Sequence, residues 1–289
     1  MHPAPSVILF SVLSGAGFGL LAYLGFGLAH PYGFGAFLWW GLGYCLAIIG
    51  LLASTFHLGN PQRAWRAFSQ WRSSWLSREA WASVATLLLC APMALSDWLG
   101  LGLPRGFGVL GGVCALITVF TTSMIYAQIK AVPRWHHWIT PLMFLTFALT
   151  GGAILAGQNG LAQGLCGLLF LVMLAVYRIG DGQFARRAQT LGSATGLDRI
   201  GSVTVFEQAH TAGNYLLREM IYVVGRKHAA KLRWIAVGMA TVVPAVLLLL
   251  PGIWAAGLGA VCHLIGALAA RWLFFAEAEH VVGLYYGKR

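Results

Sequence analysis

Long apolar runs separated by short polar connections dominate the chain, and this pattern predicts membrane-spanning helices. A helix needs about 20 residues to cross the hydrocarbon core of a bilayer, and eight runs have that length. The runs lack the period-2 alternation of barrel strands, and a backbone inside lipid must satisfy its own hydrogen bonds. We therefore expect an all-α integral membrane protein, residues 1–289 forming one bundle of eight transmembrane helices. The predicted spans lie near 5–28, 34–56, 80–98, 106–127, 138–157, 160–180, 232–250 and 252–275.

The long connection between the sixth and seventh spans, residues 181–231, has a periodicity of its own. Apolar residues recur at helical spacing in its second half, at Phe206, Ala209, Gly213, Leu216, Leu217, Met220 and Val224. This spacing predicts an interfacial amphipathic helix, which lies on the membrane surface with its apolar face in the lipid. Such a helix would be a membrane-surface element, a docking platform or one wall of a ligand pocket.

Composition supports a membrane protein, since 58% of the residues are hydrophobic and only 9% are charged. Soluble domains have about 25% charged residues, and disordered chains need low hydrophobicity. The net charge is +11, from 19 basic and 8 acidic residues. A basic excess of this size favours anionic lipid, an acidic protein or nucleic acid as partner.

The position of the basic residues decides among these partners and predicts the orientation. Eight spans place both termini on the same side, together with 18 of the 19 basic residues, and only Arg105 lies on the other side. The positive-inside rule then places both termini in the cytoplasm. Because the charge lies at a membrane face, we expect membrane lipid and an acidic protein as partners, and no nucleic acid.

A polar stretch between the second and third spans contains the candidate chemistry. His57 closes the second span, and Arg78 and Glu79 open the third. A histidine and a carboxylate near the membrane surface can hydrogen-bond a quinone carbonyl and exchange protons with it. We expect His57, Arg78 and Glu79 to form a quinone site, in which Arg78 also favours the ionised form of Glu79. The alternative is local: Ser77 caps the third helix, and the helix dipole favours Glu79 in its first turn.

Other polar residues have more than one interpretation. Arg271 and Glu277, near the end of the last span, are expected to pair with neighbours and stabilise the bundle. A b-type haem remains an alternative cofactor, because several histidines cluster towards the cytoplasmic side: His57, His136, His137, His210 and His280. The five cysteines lie in apolar segments without a CxxC pair, so we expect no metal site in this chain.

Four separated motifs, in order, resemble the anchor subunit of dimethyl sulfoxide reductase, and the resemblance covers nearly the whole chain. The motifs are His57-Leu58-Gly59-Asn60-Pro61 with Arg63-Ala64, Leu76-Ser77-Arg78-Glu79, Thr211 with Asn214-Tyr215-Leu216 and Glu219-Met220, and Phe274-Phe275-Ala276-Glu277. The resemblance implies an anchor in the bacterial inner membrane that exchanges electrons with ubiquinone or menaquinone. His57 and Glu79 match residues implicated at the quinol site of that family.

The resemblance also implies partner subunits. These are an iron–sulfur subunit and a molybdopterin catalytic subunit, which would hold the iron–sulfur clusters and the molybdopterin, so another chain would bind the sulfur substrate. Cytoplasmic termini favour the family members whose catalytic subunits are cytoplasmic, among them the anchor of the membrane-bound sulfite dehydrogenase. The alternatives are a quinol-oxidising anchor of the dimethyl sulfoxide reductase type, a transporter, and a purely structural anchor without a quinone site.

The predicted orientation can be tested with a reporter enzyme that is active only in the periplasm. Fused after Arg289, it should stay inactive, because 18 of the 19 basic residues hold that side in the cytoplasm. The same reporter fused into the short 29–33 connection should be active and serves as the control. Strong activity of the C-terminal fusion would reverse the topology.

Overall fold

The computed structural model describes residues 1–207, 213–221 and 228–287, and the backbone but not the side chain of His57. Within these ranges the protein is helical and has no strand, as predicted. Seven helices of the described part are long and apolar enough to cross a membrane. They are α1 (Pro5–Gly25), α2 (Gly33–Ala53), α3 (Trp75–Leu99), α4 (Gly106–Ala127), α6 (Asn159–Arg186), the combined Ala229–Leu247 and α11 (Ile253–Ala276).

The remaining predicted span corresponds to a shorter helix. It is α5 (Ile139–Leu155), apolar and 17 residues long, which is less than the usual length of a span. The count of eight spans therefore stays a prediction, although every predicted segment is helical. Two boundaries differ clearly: α3 begins at Trp75 and not near residue 80, and α6 ends at Arg186 and not near residue 180.

The predicted interfacial helix is only partly within the described residues. Leu191–Thr195 (α7) and Tyr215–Glu219 (α8) are short helices of five residues each. The side chain of Asn214 caps α8 by accepting a hydrogen bond from the Leu217 amide at 3.0 Å. Residues 208–212 and 222–227 lie outside the described part of the protein, so one continuous amphipathic helix remains a prediction.

The segment Ala229–Leu247 consists of three parts: α9 (Ala229–Val237), a π-helical turn (Gly238–Val242) and α10 (Val243–Leu247). Pro244 lacks a backbone N–H, so it cannot donate the usual helical hydrogen bond to the carbonyl of Ala240, one turn earlier. The Nδ1 atom of His263 on α11 donates a hydrogen bond to this carbonyl at 2.8 Å. A backbone carbonyl that would be costly to leave unpaired in lipid is thereby satisfied from the next helix.

Helix α1 is the centre of the bundle, packed against α2, α4, α5 and α11. In its most apolar window 78% of the residues are buried, against 28–50% in the other six long helices. Its glycines permit this packing, since a Cβ on Gly19 would collide with the backbone of Ala148 on α5, and one on Gly17 with the backbone of Ala47 on α2. Close approach through small residues is the usual way in which helices associate in lipid.

A methyl group added at the α1–α5 contact should therefore destabilise the protein. We expect Gly19→Ala to lower the stability of the detergent-solubilised protein by about 1–3 kcal/mol, the usual cost of overpacking, as a lower midpoint of thermal denaturation. Gly15→Ala is the matched control on the same helix, because a Cβ there meets nothing within 4 Å. Equal midpoints for the two variants would contradict the packing described here.

Candidate functional site

The connection between α2 and α3 folds back over the start of α3. It contains a 3-10 turn at Ser54–His57 and a second at Pro61–Phe68. The indole nitrogen of Trp81 on α3 donates to the Phe68 carbonyl at 3.0 Å, and the Gln70 amide donates to the Ser77 hydroxyl at 3.2 Å. These two hydrogen bonds hold the loop against the first turns of α3.

Below this loop lies a large cavity of about 880 Å³, here called the Glu79 cavity. Its walls come from the first turns of α1, the ends of α2 and α4, the loop, and the first half of α3. Its lining includes Val7, Phe10, Ile48, Leu51, Leu52, Thr55, Asn60, Arg63, Ala64, Arg66, Ser77, Glu79, Ala80, Ser83, Val84, Leu87, Ile125 and Tyr126. Most of these side chains are apolar, and the polar ones gather towards the loop.

Two leucines of the lining have large exposed fractions: Leu52 is 56% exposed and Leu76 is 48% exposed. They belong to the apolar helices α2 and α3. The Glu79 cavity is therefore open at an apolar rim and covered by the polar loop on its other side.

Glu79 lies in the wall of this cavity with only 4% of its surface exposed. The hydroxyl of Thr122 on α4 contacts its Oε1 atom at 2.5 Å. Because α3 begins four residues earlier, Glu79 lies beyond the first turn of the helix, which contains no acidic residue. The capping interpretation is therefore wrong: the N-cap residue is Ser74, without a side-chain capping bond, and Ser77 accepts from the loop.

Arg78 bonds the loop and is not among the residues that line the cavity, so its expected contact with a quinone and its effect on Glu79 stay predictions. Its guanidinium donates to the carbonyls of Trp71 and Arg72, at 3.0 and 2.7 Å, and lies 4.3 Å from the ring centre of Trp75. Consecutive residues of a helix point in different directions, about 100° apart. Arg78 thus shapes the loop that covers the cavity.

The backbone of His57 ends the Ser54–His57 turn at the edge of the cavity. Its neighbours Thr55 and Leu58 both line the cavity, and the Leu58 amide closes the turn on the Thr55 carbonyl at 3.1 Å. The side chain of His57 lies outside the described part of the structure. Its contact with a ligand stays a prediction.

A cluster of two acidic and two basic residues joins four parts of the bundle on the same side. Glu277 accepts from Arg134 and Arg233, each at 2.6 Å, and Asp181 also bonds both arginines. Glu277 is 7% exposed, and a buried carboxylate is tolerated when it is fully paired. The prediction that Glu277 stabilises the bundle through pairing is supported by these contacts.

Arg271 was expected to pair in the same way and does not. Its guanidinium lies 3.4 Å from the ring centre of Phe144, and no ion pair in the described part of the protein includes it. Arg271 is 4% exposed. Aromatic rings, and not a carboxylate, therefore surround this charge.

The b-type haem considered from the sequence stays untested, because the side chains of His57 and His210 lie outside the described residues. His263 bonds the Ala240 carbonyl, and the cavity beside it measures only about 20 Å³. Burial and the nearby Arg186 and Arg187 lower the pKa of His137, and burial together with the N-terminal amine lowers the pKa of His280. No group of three or more metal-ligating side chains occurs among the described residues.

The sequence matches the family model described as DMSO reductase anchor subunit (DmsC) over residues 1–275. The protein belongs to this family. It is also 32% identical to a sulfite dehydrogenase subunit of Allochromatium vinosum, over 99% of both sequences. Two anaerobic dimethyl sulfoxide reductase proteins of Escherichia coli K12 match less than half of the anchor. One, YnfH, is 32% identical over 42% of this sequence and 41% of its own, and the other is 28% identical over 44% and 48%. No solved structure matches.

Family membership and the apolar helices together make this anchor a multi-pass membrane protein. Its structure also adds two residues that the sequence analysis missed. Thr122 and Tyr126 on α4 reach the Glu79 cavity or its carboxylate. They are four residues apart, a spacing that places both on one helix face. The spacing of four residues between Thr118, Thr122 and Tyr126 in this mainly apolar helix is the signal that would have identified them.

Proposed function

We propose that this anchor is the quinone-reactive subunit of a molybdopterin oxidoreductase complex in the bacterial inner membrane. It passes electrons between an iron–sulfur subunit and membrane quinone, and its partners hold the iron–sulfur clusters and the molybdopterin. The observation that supports this most strongly is the Glu79 cavity, an open and mainly apolar space with a buried carboxyl group in its wall.

The size and lining of the cavity suit a quinone head group. Binding pockets for small molecules usually measure about 300–1,000 Å³ and combine apolar walls with a few polar groups, and the cavity measures about 880 Å³. The exposed Leu52 and Leu76 mark the side from which a lipid-soluble molecule would enter. The polar residues at the loop end would meet the carbonyl oxygens.

The proposed reaction requires this protein to bind protons and to transfer them to or from the quinone. Reducing a quinone to a quinol takes two electrons and two protons. Glu79 holds a carboxyl group at the cavity wall, bonded to Thr122, where it can give up or receive a proton during turnover. His57, whose backbone lies at the cavity edge, is the second proposed partner, as hydrogen-bond donor to a carbonyl and as proton carrier.

We propose that the electrons arrive from a docked iron–sulfur subunit, as the family membership implies. We assign the docking face to the 57–79 and 181–231 loops. Exposed arginines occur on both, namely Arg63, Arg66, Arg72, Arg186, Arg187 and Arg199. Such a surface favours association with an acidic protein. With both termini cytoplasmic, the docking face and the proton source lie on the same side.

Sulfite oxidation to sulfate is our proposed overall reaction. Sulfite and water give sulfate, two protons and two electrons, and the quinone takes up two electrons and two protons. The full-length similarity to a sulfite dehydrogenase subunit and the basic cytoplasmic face support this direction. The shorter matches to dimethyl sulfoxide reductase proteins favour the second candidate, an anchor that oxidises quinol.

Removing the proton-handling groups should impair only the quinone reaction. In the assembled complex, Glu79→Gln and His57→Ala should each lower quinone-linked turnover by about 100-fold or more, the usual contribution of a positioned acid or base. The measurement is sulfite-dependent reduction of a soluble quinone analogue, beside turnover with an artificial acceptor that bypasses this anchor, which should be retained.

The matched control is Asp97→Asn, a carboxyl group near the other end of α3 that pairs with Arg105. It should leave the quinone kinetics unchanged. Normal quinone kinetics in assembled Glu79→Gln and His57→Ala complexes would overturn the proposed site. Quinone chemistry without any response to sulfite would overturn only the sulfite assignment.

A further inference from the structure

Arg271 is a buried cation without a carboxylate partner in the described structure. It lies on α11 about one and a half turns before the helix ends at Ala276. Its Nη1 atom is buried and makes no hydrogen bond within the described part of the protein. Glu277, the nearest acidic residue along the sequence, is already bonded by Arg134 and Arg233. A buried charge without a partner is costly, so such an arrangement calls for a specific explanation.

The space beside Arg271 is a small cavity, here called the Arg271 cavity, of about 20 Å³. Its polar lining consists of Ser11, Ser14, Thr122, His263 and Arg271. A volume of about 10–15 Å³ accessible to a water-sized sphere is enough for one water molecule, which also needs polar partners. The Arg271 cavity meets both conditions.

Thr122 connects this cavity with the Glu79 carboxyl group. Its hydroxyl contacts Glu79 at 2.5 Å and the Thr118 carbonyl at 2.9 Å, and the residue lines the Arg271 cavity. A hydroxyl has one hydrogen, and a carbonyl can only accept. If Thr122 donates to Thr118, it can accept a hydrogen bond from a protonated Glu79. If it donates to Glu79 instead, that carboxyl group can be ionised.

Away from Thr122, aromatic rings separate the Glu79 cavity from the Arg271 cavity. Tyr126 lines the Glu79 cavity, and its ring centre lies 5.7 Å from that of Phe144 and 5.4 Å from that of Phe274. The Arg271 guanidinium lies near the same two rings, at 3.4 and 5.8 Å from their centres. The cation therefore lies directly behind the wall of the proposed quinone site, at the same end of the bundle.

We propose that the Arg271 cavity is a water site and that Arg271 is a positioning residue for Glu79. The water bonds Arg271 and the Thr122 hydroxyl, and the positive charge compensates Glu79 when that carboxyl group has lost its proton. This inference rests on the proposed function and adds a residue on another helix to the proton-handling machinery. The other titratable groups close to Arg271 are Tyr126, Tyr177 and His263.

The test compares variants in the assembled complex. Arg271→Met removes the charge at similar length, and Arg271→Lys keeps it. We expect Arg271→Met to lower kcat for quinone-linked turnover by about tenfold or more with a change in quinone KM below about threefold, because ligand binding is left intact. Arg271→Lys should restore part of kcat, and turnover with the soluble acceptor should be retained in both.

Thr122→Val tests the connection independently and should also lower kcat. Its matched control is Thr118→Val, a buried threonine one turn earlier whose side chain bonds the Cys114 carbonyl and the Thr86 hydroxyl; it should keep wild-type kinetics. The double variant Arg271→Met/Thr122→Val should be no slower than the slower single variant, since both act on one connection.

Several results would overturn the inference. The first is a wild-type kcat for quinone-linked turnover in the assembled Arg271→Met or Thr122→Val complex. The second is a kcat in the double variant that falls by the product of the two single decreases. If Arg271→Met does not assemble, Thr122→Val and a high-resolution structure of the complex decide. The structure should contain an ordered water within hydrogen-bond distance of Arg271 Nη1, and a dry cavity would refute it. Unimpaired Glu79→Gln would instead contradict the proposed function itself.

Discussion

The bundle depends on backbone-to-backbone contact along α1. Apolar side chains are as stable against lipid as against a neighbouring helix, so no hydrophobic force drives the helices together. They associate instead through close packing and polar contacts. Gly17 and Gly19 let α2 and α5 approach the axis of α1, and Gly25 meets Gly108 of α4 in the same way. With α1 buried at the centre, the first turns of α1 and α3 and the ends of α2, α4 and α11 meet on one side.

That convergence places the polar groups of the bundle where they can act together. Glu79 and Thr122 come from α3 and α4, and Arg271 comes from α11, far later in the sequence. Each lies within about two turns of one end of its helix, near the charged face but below it. The Glu79 cavity lies below a basic loop, and its apolar rim is the side that we propose opens to lipid. A lipid-soluble reactant and a water-soluble protein partner can thus approach the same carboxyl group from different directions.

Much of this arrangement was predictable from the sequence, because apolar length and helical spacing are local properties. The helical segments, the loop between α2 and α3, and the interest of Glu79 follow from such patterns. The orientation of the Arg78 side chain could not be predicted in this way, because it depends on where the loop places the carbonyl groups of Trp71 and Arg72. The lack of a carboxylate partner for Arg271 in the described structure could not be predicted either, because the packing of helices distant in the sequence decides which groups a buried side chain can contact.

The central claim is that membrane quinone binds in the Glu79 cavity. The most direct measurement is covalent labelling of the assembled complex with a photoreactive quinone analogue, followed by mapping of the labelled peptides. We expect labels on residues 48–87, which form the loop and the facing walls of α2 and α3, and competition by unmodified quinone. Labels confined to α5, α6 or α11, and displaced by the same quinone, would contradict the claim.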